Sequence, residues 1–289
     1  MITLNAYAKL NLSLNVTGKR ADGYHELDSI MQTISLADTV ELGLADEISV
    51  VFDVPDVDPV NNTAYAAAQV FFAHTGIQGG VDIRIRKIIP RMSGMGGASA
   101  NAAAVLIGLN RLYDAQLGAD TIAQLGVRLG ADVPFALTGG TAPAKGIGEK
   151  LKPLSLKTPF HVAVVKPHAG VSTAEAFRRY KSSAPINIGM VEFALLKGDV
   201  SLFEQYAGNA LGIAALSIAP EIMKAADALL AAGARKALMS GSGSTMFALF
   251  ADEAAARETA SRIKGRYELC GAYSFVDKAV DIVGEGSGS

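Results

Sequence analysis

The chain has 289 residues, half of them apolar, and a formal net charge of −2 at pH 7. This length allows two modest domains or one large one, and the apolar half is enough for a full hydrophobic core. The nearly balanced charge argues against nucleic acid or an anionic membrane as the main partner, although a small anionic ligand needs only a local positive field.

Cysteine usage and targeting signals narrow the class of protein further. Cys270 is the single cysteine, which excludes an internal disulfide and a cysteine-rich metal site. No signal peptide and no apolar run long enough to span a bilayer is visible, so the sequence predicts a cytoplasmic protein. Residues 284–289 are glycine and serine apart from one glutamate, and they are predicted to form a flexible tail.

The first half opens with strands, because apolar and polar residues alternate along it. The predicted strands are 2–6, 10–16, 39–44, 48–52 and 81–89. The helical period then predicts helices over 62–74, 102–113 and 120–129.

Cap residues and breakers set the ends of these elements. Asn61 or Asn62 is predicted to cap the helix that follows it. Asp120 is predicted to cap the helix over 120–129, and Gly130 to end it. Residues 151–159 carry prolines and lysines and are predicted to be a linker.

The second half mixes strands and helices. Strands are predicted over 161–165, 237–240, 245–250 and 273–276. Helices are predicted over 173–180, 191–196, 201–215, 221–232 and 253–264. Strands before helices in the first half, followed by a mixed second half, predict an α+β protein with two domains.

The stretch 90–103 is a loop of small residues between a predicted strand and a predicted buried helix. The bare N–H groups at such a helix start, together with the helix dipole, suit a phosphate. No Gly-Lys pair follows the loop, which argues against a Walker A loop. Ser99 stands where a dinucleotide fingerprint needs its third glycine. The alternative is a tight connection whose glycines only allow close packing, and the loop alone does not decide between them.

Lys9 and Asn11 are spaced by two and share one face of a predicted strand. Lysine could hold a phosphate as a point charge. The alternative is a solvated lysine on a strand face, which the residues around it favour when they are taken alone.

Tyr24 and His25 end a turn rich in glycine and charge, Gly18-Lys-Arg-Ala-Asp-Gly. They could stack on a planar ring or hydrogen-bond to it. The alternative is a hairpin turn with a partly buried tyrosine. No histidine stands at metal-ligand spacing.

Asp132 follows the predicted end of a helix at Gly130 and precedes Pro134, which is expected to push Val133 towards an extended shape. A carboxylate held rigidly in this way is what a general base needs. The alternative is an aspartate that only stabilises a turn.

Taken together and in this order, the motifs resemble those of the GHMP kinase superfamily, and within it the kinases that act on a cytidine-diphosphate-linked methylerythritol. The resemblance runs from about residue 6 to residue 250. It rests on Ala8-Lys-Leu-Asn11, Arg20-Ala-Asp-Gly-Tyr-His25, Gly94-Met-Gly-Gly-Ala-Ser99, Leu129-Gly-Ala-Asp-Val-Pro-Phe135, Gly146-Ile-Gly-Glu149, Gly170-Val-Ser-Thr173 and Ser240-Gly-Ser-Gly-Ser244.

The resemblance implies a two-domain GHMP kinase fold. Its N-terminal domain, over 1–155, is expected to be similar to the second domain of ribosomal protein S5. Its C-terminal domain, over 156–283, is expected to be ferredoxin-like. The site is expected in the cleft between them.

The resemblance also implies roles for particular residues. Lys9 and Asp132 match the catalytic pair. The implied substrate contacts are Asn11, Tyr24, His25, Thr173 and Phe177. The implied ATP-binding residues are Asn62, near the adenine, and the loop Pro90, Arg91, Met92, Ser93, Gly94, Met95, Gly96, Gly97, Ala98, Ser99 and Ala100.

The loop departs from the usual pattern of these kinases, Gly-Gly-Gly-Ser-Ser, at two positions. Ala98 adds a methyl group where backbone meets phosphate, and Ala100 removes a hydroxyl. Met92 and Ser93 stand where glycine or alanine is common. These changes bear on nucleotide affinity and on any hydroxyl contact to Mg²⁺, and they leave Lys9 and Asp132 untouched.

The implied activity is transfer of the γ-phosphoryl group of ATP, with Mg²⁺, to the 2-hydroxyl of the cytidine-diphosphate-linked methylerythritol, in the non-mevalonate route to isoprenoid precursors. The partner is then a small molecule, with no nucleic acid and no membrane. Neither the metal-binding groups nor the oligomeric state follow from the sequence. The alternatives are a superfamily kinase with a mevalonate- or homoserine-type acceptor, or a nucleotide-binding module without catalysis.

Overall fold

The computed structural model describes residues 1–55 and 57–286, which form two sheets and the helices packed on them. The strands are β1 Ile2–Lys19, β2 His25–Ala45, β3 Ser49–Phe52, β4 Gly80–Arg86, β5 Thr141–Gly146, β6 Lys150–Leu151, β7 His161–Lys166, β8 Leu238–Met239, β9 Met246–Phe250, β10 Leu269–Ser274 and β11 Val280–Glu285. The helices are α1 Thr63–Thr75, α2 Gly97–Leu112, α3 Ala119–Val127, α4 Val133–Thr138, α5 Thr173–Arg179, α6 Ile188–Lys197, α7 Val200–Tyr206, α8 Gly212–Ile218, α9 Glu221–Ala231 and α10 Glu253–Arg262.

The first sheet has seven strands in the order β11-β1-β2-β4-β3, with β5 paired to β2 and β6 paired to β5. The long antiparallel pair β1 and β2 is its centre, and β3 runs parallel to β4. Helices α1 and α2 bury their alanine-rich faces against this sheet. Leu4, Leu42, Ile83, Phe71 and Leu109 meet in the resulting core.

The second sheet has four strands in the order β10-β7-β9-β8, all antiparallel. Its apolar residues join those of the first sheet in one cluster, in which Leu10 and Ile34 lie with Phe160, Val162 and Phe247. Because burial of apolar side chains is the main stabilising term, this shared cluster holds the two halves together.

The mixed α+β architecture with two sheets agrees with the predicted fold class, but some predicted elements differ. The predicted strands 2–6 and 10–16 are a single strand, β1, whose residues 8–14 are all buried. The predicted helix 201–215 is interrupted between α7 and α8. There Gly208 accepts a hydrogen bond from the N–H of Leu14 at 2.9 Å, so pairing with β1 replaces helical hydrogen bonding.

The region around Asp132 also differs from its prediction. Helix α3 begins at Ala119 after Gly118, so Asp120 lies in the first turn and is not the cap. Val133 is helical rather than extended, because it begins the short helix α4. Pro134 lies in the first turn of α4, where its fixed φ suits a helix and no N–H is needed.

The end of the chain returns to the first sheet. Strand β11 pairs antiparallel with β1 over residues 2–6, and Gly284 and Glu285 belong to it. Of the predicted flexible tail, residues 287–289 lie outside the described residues. The predicted boundary between residues 155 and 156 stays a prediction.

Along the described ranges, none of the helices is both long and apolar enough to cross a lipid bilayer.

Candidate active site

A cleft of about 1690 Å³ is lined by residues from both halves of the chain. Lys9, Asp132 and the loop before α2 lie in it, together with Tyr24 and the helix α5. Residues that are far apart in sequence therefore surround one space. That space is large enough for two ligands, since drug-sized ligand pockets are typically about 300–1000 Å³.

Lys9 and Asp132 form an ion pair, with Lys9 Nζ 3.2 Å from Asp132 Oδ2. The lysine side chain is 9% exposed and the aspartate side chain 33%, so the carboxylate is the more accessible member. Asp132 precedes α4 but its side chain makes no cap hydrogen bond. The carboxylate is therefore directed to Lys9 and the cleft rather than used to stabilise the turn.

Asn11 is a second hydrogen-bond partner of the Lys9 ammonium. Lys9 Nζ donates to Asn11 Oδ1 at 2.6 Å, and Asn11 Nδ2 donates to the Ser29 hydroxyl at 2.9 Å. Asn11 is 2% exposed, so its amide lies beneath the cleft surface. Residues 9 and 11 share one face of β1, as predicted, and the structure adds the hydrogen bond between their side chains.

The loop before α2 presents its backbone to the cleft. Gly96 precedes the helix with φ 70°, and no side chain caps the helix there. The first N–H groups of a helix lack intrahelical acceptors, so this end offers donors and partial positive charge. At Gly94, φ is 76° and a Cβ would lie 2.2 Å from the carbonyl oxygen of Ser240, so only glycine fits.

The predicted ATP-binding residues do not all face the cleft. Those that line it are Asn62, Pro90, Arg91, Met92, Ser93, Gly94, Gly96, Gly97, Ala98 and Ser99. Met95 and Ala100 are instead buried in the interior. Asn62 caps α1 by accepting from the N–H of Tyr65 at 2.9 Å, and Thr63 donates to the carbonyl of Ala98 at 2.8 Å. The start of α1 is thereby tied to the loop.

Sequence reasoning missed a buried ion pair beneath the loop. Asp38 is fully buried and accepts from the N–H groups of Ile88 and Ile89, at 2.7 and 2.8 Å, and from Asn101 Nδ2 at 2.9 Å. The ammonium of Lys87 pairs with the same carboxylate. Asp38 thus joins the segment before the loop to helix α2. The sequence feature that could have indicated Asp38 is a charged residue at an otherwise apolar position of the strand pattern.

An aromatic group, formed by Tyr24, His25, Phe177 and Tyr180, also lines the cleft. The His25 ring stacks on Phe177, with centroids 5.0 Å apart and planes 22° apart, and Tyr180 meets His25 edge-on at 5.9 Å. Tyr24 lines the cleft and is 61% exposed. The structure therefore places His25, rather than Tyr24, against Phe177, and it adds Tyr180, which the sequence analysis did not single out. Thr173 Oγ1 lies 3.0 Å from Ser242 Oγ beside this group.

The charge of the aromatic group depends on the protonation of His25. Burial, and to a lesser degree the positive charge of Lys19, lowers the pKa of His25 below its ordinary value of 6.5. His25 is therefore neutral at pH 7, with one ring nitrogen that donates and one that accepts.

Two protein-family descriptions match the chain. The GHMP kinases N terminal domain matches residues 62–140, and the GHMP kinases C terminal domain matches residues 193–269. The solved structure of a homoserine kinase from Cytophaga hutchinsonii superposes with a TM-score of 0.78 at 20% identity, which shows the shared fold. The two family matches identify the class of protein, an ATP-dependent small-molecule kinase.

More similar relatives specify the family. The 4-diphosphocytidyl-2-C-methyl-D-erythritol kinase of Pelotomaculum thermopropionicum is 41% identical over 270 residues, which cover 91% of this chain and 94% of that protein. The Bacillus subtilis kinase of the same name is 41% identical over 268 residues, 90% of this chain and 92% of that protein. A crystal structure of 4-(cytidine 5'-diphospho)-2C-methyl-D-erythritol kinase is 36% identical with a TM-score of 0.78 and covers 94% of this chain and 98% of that one. The chain belongs to the GHMP kinases, and within them to the family of 4-diphosphocytidyl-2-C-methyl-D-erythritol kinases. The family membership and the GHMP kinase fold that the sequence motifs implied are confirmed.

Proposed function

We propose that this protein transfers the γ-phosphoryl group of ATP to the 2-hydroxyl of 4-diphosphocytidyl-2-C-methyl-D-erythritol, in the non-mevalonate route to isoprenoid precursors. The observation that carries the proposal is that one cleft is lined by the Lys9–Asp132 pair, an open helix N-terminus and an aromatic group. The names of the relatives support the choice of acceptor.

ATP would lie along the loop 90–100. The N–H groups at the start of α2 would bind its phosphates, because a helix N-terminus favours anions. Gly94 and Gly96 give this loop its shape, since both have positive φ and a Cβ would meet the carbonyl of Ser240 or the side chain of Lys9. Asn62 lines the cleft beside the loop, which supports its place near the adenine.

Asp132 would accept the proton of the acceptor hydroxyl, since it is an accessible carboxylate paired with Lys9, whose side chain lies against Gly96 of the loop. Lys9 would orient this carboxylate and offset the negative charge that develops between acceptor and phosphate. The contacts of Asn11 with Lys9 and Ser29 support a role in holding Lys9, next to the predicted role in binding substrate.

The cytidine would bind at the aromatic group of the cleft. Phe177 and Tyr24 offer ring faces on which a base can stack. Stacking accepts any base, so selection of cytosine needs hydrogen bonds to the edge of the base. The neutral His25 could supply such an edge contact through its ring nitrogens. Thr173 lies at the start of α5, one turn before Phe177, where its hydroxyl can reach the same ligand.

Mg²⁺ accompanies ATP in such reactions, and the residues present fit an ion held mainly by the nucleotide. Among the described residues, no group of three or more His, Cys, Asp or Glu side chains could hold a metal alone. Mg²⁺ is usually bound through one or two protein oxygens plus phosphates and water. Ser99, in the first turn of α2, and Asp132 have suitable oxygens in the cleft. The ion would neutralise phosphate charge. The cytoplasmic location and the lack of nucleic-acid or membrane partners stay predictions.

A coupled assay of ADP release with a panel of acceptor alcohols tests the proposal. Release with the cytidylylated methylerythritol, and not with mevalonate or homoserine, is expected. Release with one of those acceptors instead would assign the protein another GHMP activity. No release with any acceptor, together with tight ADP binding, would favour a non-catalytic nucleotide-binding module.

Ala98→Gly is expected to leave kcat unchanged and to alter ATP affinity only modestly. The methyl group of Ala98 is exposed at the first turn of α2, where it can keep phosphate oxygens slightly away. Glycine removes that methyl group but also loosens the helix start. Titration of ATP against both proteins measures the change, with thermal melting as the control for helix loosening. A change beyond about tenfold, or roughly 1.4 kcal/mol, would contradict this expectation.

Lowering the pH through the depressed pKa of His25 is expected to raise the KM for the acceptor, because the ring then takes up a proton. The folded state disfavours that proton, since the pKa of His25 is lower in the folded protein than in the unfolded chain. Stability should therefore also fall as the pH drops below 6.5, the opposite of a group with a raised pKa.

Acceptor KM and melting temperature measured between pH 8 and about 5.5 check this expectation. His25→Gln should remove the acidic rise in KM, whereas His74→Gln, at the end of α1 and outside the cleft, should keep it. An acceptor KM that stays constant while NMR shows the His25 ring taking up a proton would show that His25 does not contact the acceptor.

A further inference from the structure

The loop over 240–244 has no part in the function proposed above, yet it lies against the phosphate loop. Ser240 directly follows β8, and its side chain is completely buried. Its hydroxyl accepts a hydrogen bond from the N–H of Asn11 at 3.1 Å and donates one to the carbonyl of Gly94 at 2.9 Å. One hydroxyl from the second half of the chain therefore joins the strand of Lys9 to the phosphate loop.

The strand β1 needs these contacts because it loses its neighbour partway along. β11 pairs with β1 only over residues 2–6. Beyond that point the N–H groups of alternate residues lie on the same edge and require other acceptors. Tyr7 donates to the carbonyl of Ala279 at 2.9 Å, Lys9 to Met95 at 3.0 Å, and Asn11 to the Ser240 hydroxyl. The phosphate loop and Ser240 thus take the place of a neighbouring strand beside Lys9.

The same loop packs backbone to backbone against the phosphate loop. The N–H of Thr245 donates to the carbonyl of Ser93 at 3.2 Å. Gly94 and Gly241 approach so closely that a Cβ on Gly241 would lie 3.1 Å from the Gly94 carbonyl oxygen. The position of Gly94, and with it the start of α2, is therefore set from the second half of the chain.

We propose that Ser240 is a positioning residue for phosphoryl transfer. Its hydroxyl holds the strand of Lys9 and the phosphate loop at the separation at which the Lys9–Asp132 pair meets the γ-phosphate. This inference rests on the proposed function, and Ser240 itself touches neither ligand. Loss of the hydroxyl leaves the N–H of Asn11 and the carbonyl of Gly94 without their partner and lets the loop shift. A misplacement of about 1 Å can cost on the order of 10²-fold in rate.

Ser240→Ala tests the proposal, with Ser13→Ala as the matched control. Ser13 is also buried in β1, and its hydroxyl donates to the carbonyl of Gly208 at 3.0 Å and accepts from its N–H at 3.1 Å. Both variants thus lose two hydrogen bonds between the halves of the chain, but only Ser240→Ala loses contact with the phosphate loop.

We expect Ser240→Ala to lower kcat by about tenfold to a hundredfold and to raise the KM for ATP, with the acceptor KM within about twofold of the parent value. Ser13→Ala should keep kcat, while its melting temperature falls by about as much as that of Ser240→Ala. A kcat within about twofold of the parent in Ser240→Ala, or an equal loss of kcat in both variants, would overturn the positioning role. If Ser240→Ala does not fold, Ser240→Cys, which keeps size and weakens both hydrogen bonds, is judged by the same criteria.

Hydrogen exchange and ADP binding test the positioning role of Ser240 independently of turnover. The amide of Asn11 should exchange faster in Ser240→Ala than in Ser13→Ala, and affinity for ADP should fall only in Ser240→Ala. Unchanged exchange and unchanged ADP affinity would overturn the proposal. If the parent enzyme releases no ADP with the cytidylylated acceptor, the proposed function fails, while these two measurements still decide the role of Ser240.

Discussion

Asp132→Asn is expected to reduce kcat by about 10²–10⁴-fold while the protein stays folded, because general-base catalysis contributes a factor of that size. Asparagine keeps the size of the side chain and an oxygen that can accept from Lys9, 3.2 Å away in the parent protein. It cannot accept the proton of the acceptor hydroxyl at neutral pH. Lys9 also keeps its hydrogen bond to Asn11, so its ammonium does not become a buried charge without a partner.

Steady-state kinetics with saturating ATP and acceptor, together with circular dichroism and thermal melting, test this expectation. Asp120→Asn is a matched control, since Asp120 lies in the first turn of the neighbouring helix α3 and outside the cleft. The control should keep full activity. An Asp132→Asn enzyme that works within a few-fold of the parent would remove Asp132 from the role of base.

Phe177→Ala is expected to weaken binding of the cytidylylated acceptor by about 1–3 kcal/mol, the contribution of stacking one base on an aromatic ring. ATP affinity should stay nearly unchanged, because the ring of Phe177, which lines the cleft beside His25, is proposed to stack on the cytosine and not to bind ATP. Phe177 is half-buried and one face of its ring meets His25. The loss of stability should therefore be smaller than the roughly 3–5 kcal/mol of a fully buried phenylalanine.

Acceptor KM, ATP KM and the free energy of unfolding separate stacking from core packing. Phe193→Ala, on α6 and 47% exposed, is a control that removes a phenylalanine outside the cleft. A double-mutant cycle with His25→Ala isolates the His25–Phe177 contact from the effect on the acceptor. If Phe177→Ala destabilises the protein by several kcal/mol and leaves the acceptor KM unchanged, the stacking role is wrong.

Local patterns in the sequence were sufficient for much of the fold. Helix α5 and strand β7 lie within a residue of their predicted bounds, because apolar periodicity acts over a few residues. The glycine loop before α2 was visible for the same reason, although its glycines alone did not distinguish phosphate binding from close packing. The motifs also indicated Lys9 and Asp132 together, although no local rule joins residues that far apart.

Only the tertiary structure decided how the edges of β1 are completed. The return of β11, the pairing of Gly208 with Leu14 and the hydroxyl of Ser240 all satisfy backbone groups of one strand from distant parts of the chain. Hydrogen-bond partners of a strand edge depend on what packs beside it, and a single sequence does not contain that information in its periodicity.

The same reason explains the site residues that sequence analysis missed or placed differently. Asp38 is buried because Lys87 and the segment before the loop surround it with donors, and His25 stacks on Phe177 because the two halves of the chain meet there. The sequence by itself determined which residue types were available for phosphate binding and base catalysis, since these follow from short motifs. The distances between these side chains and their burial were decided by packing between β1, α2, α5 and the loop over 240–244. The lowered pKa of His25 follows from that burial. Only long-range contacts establish this packing.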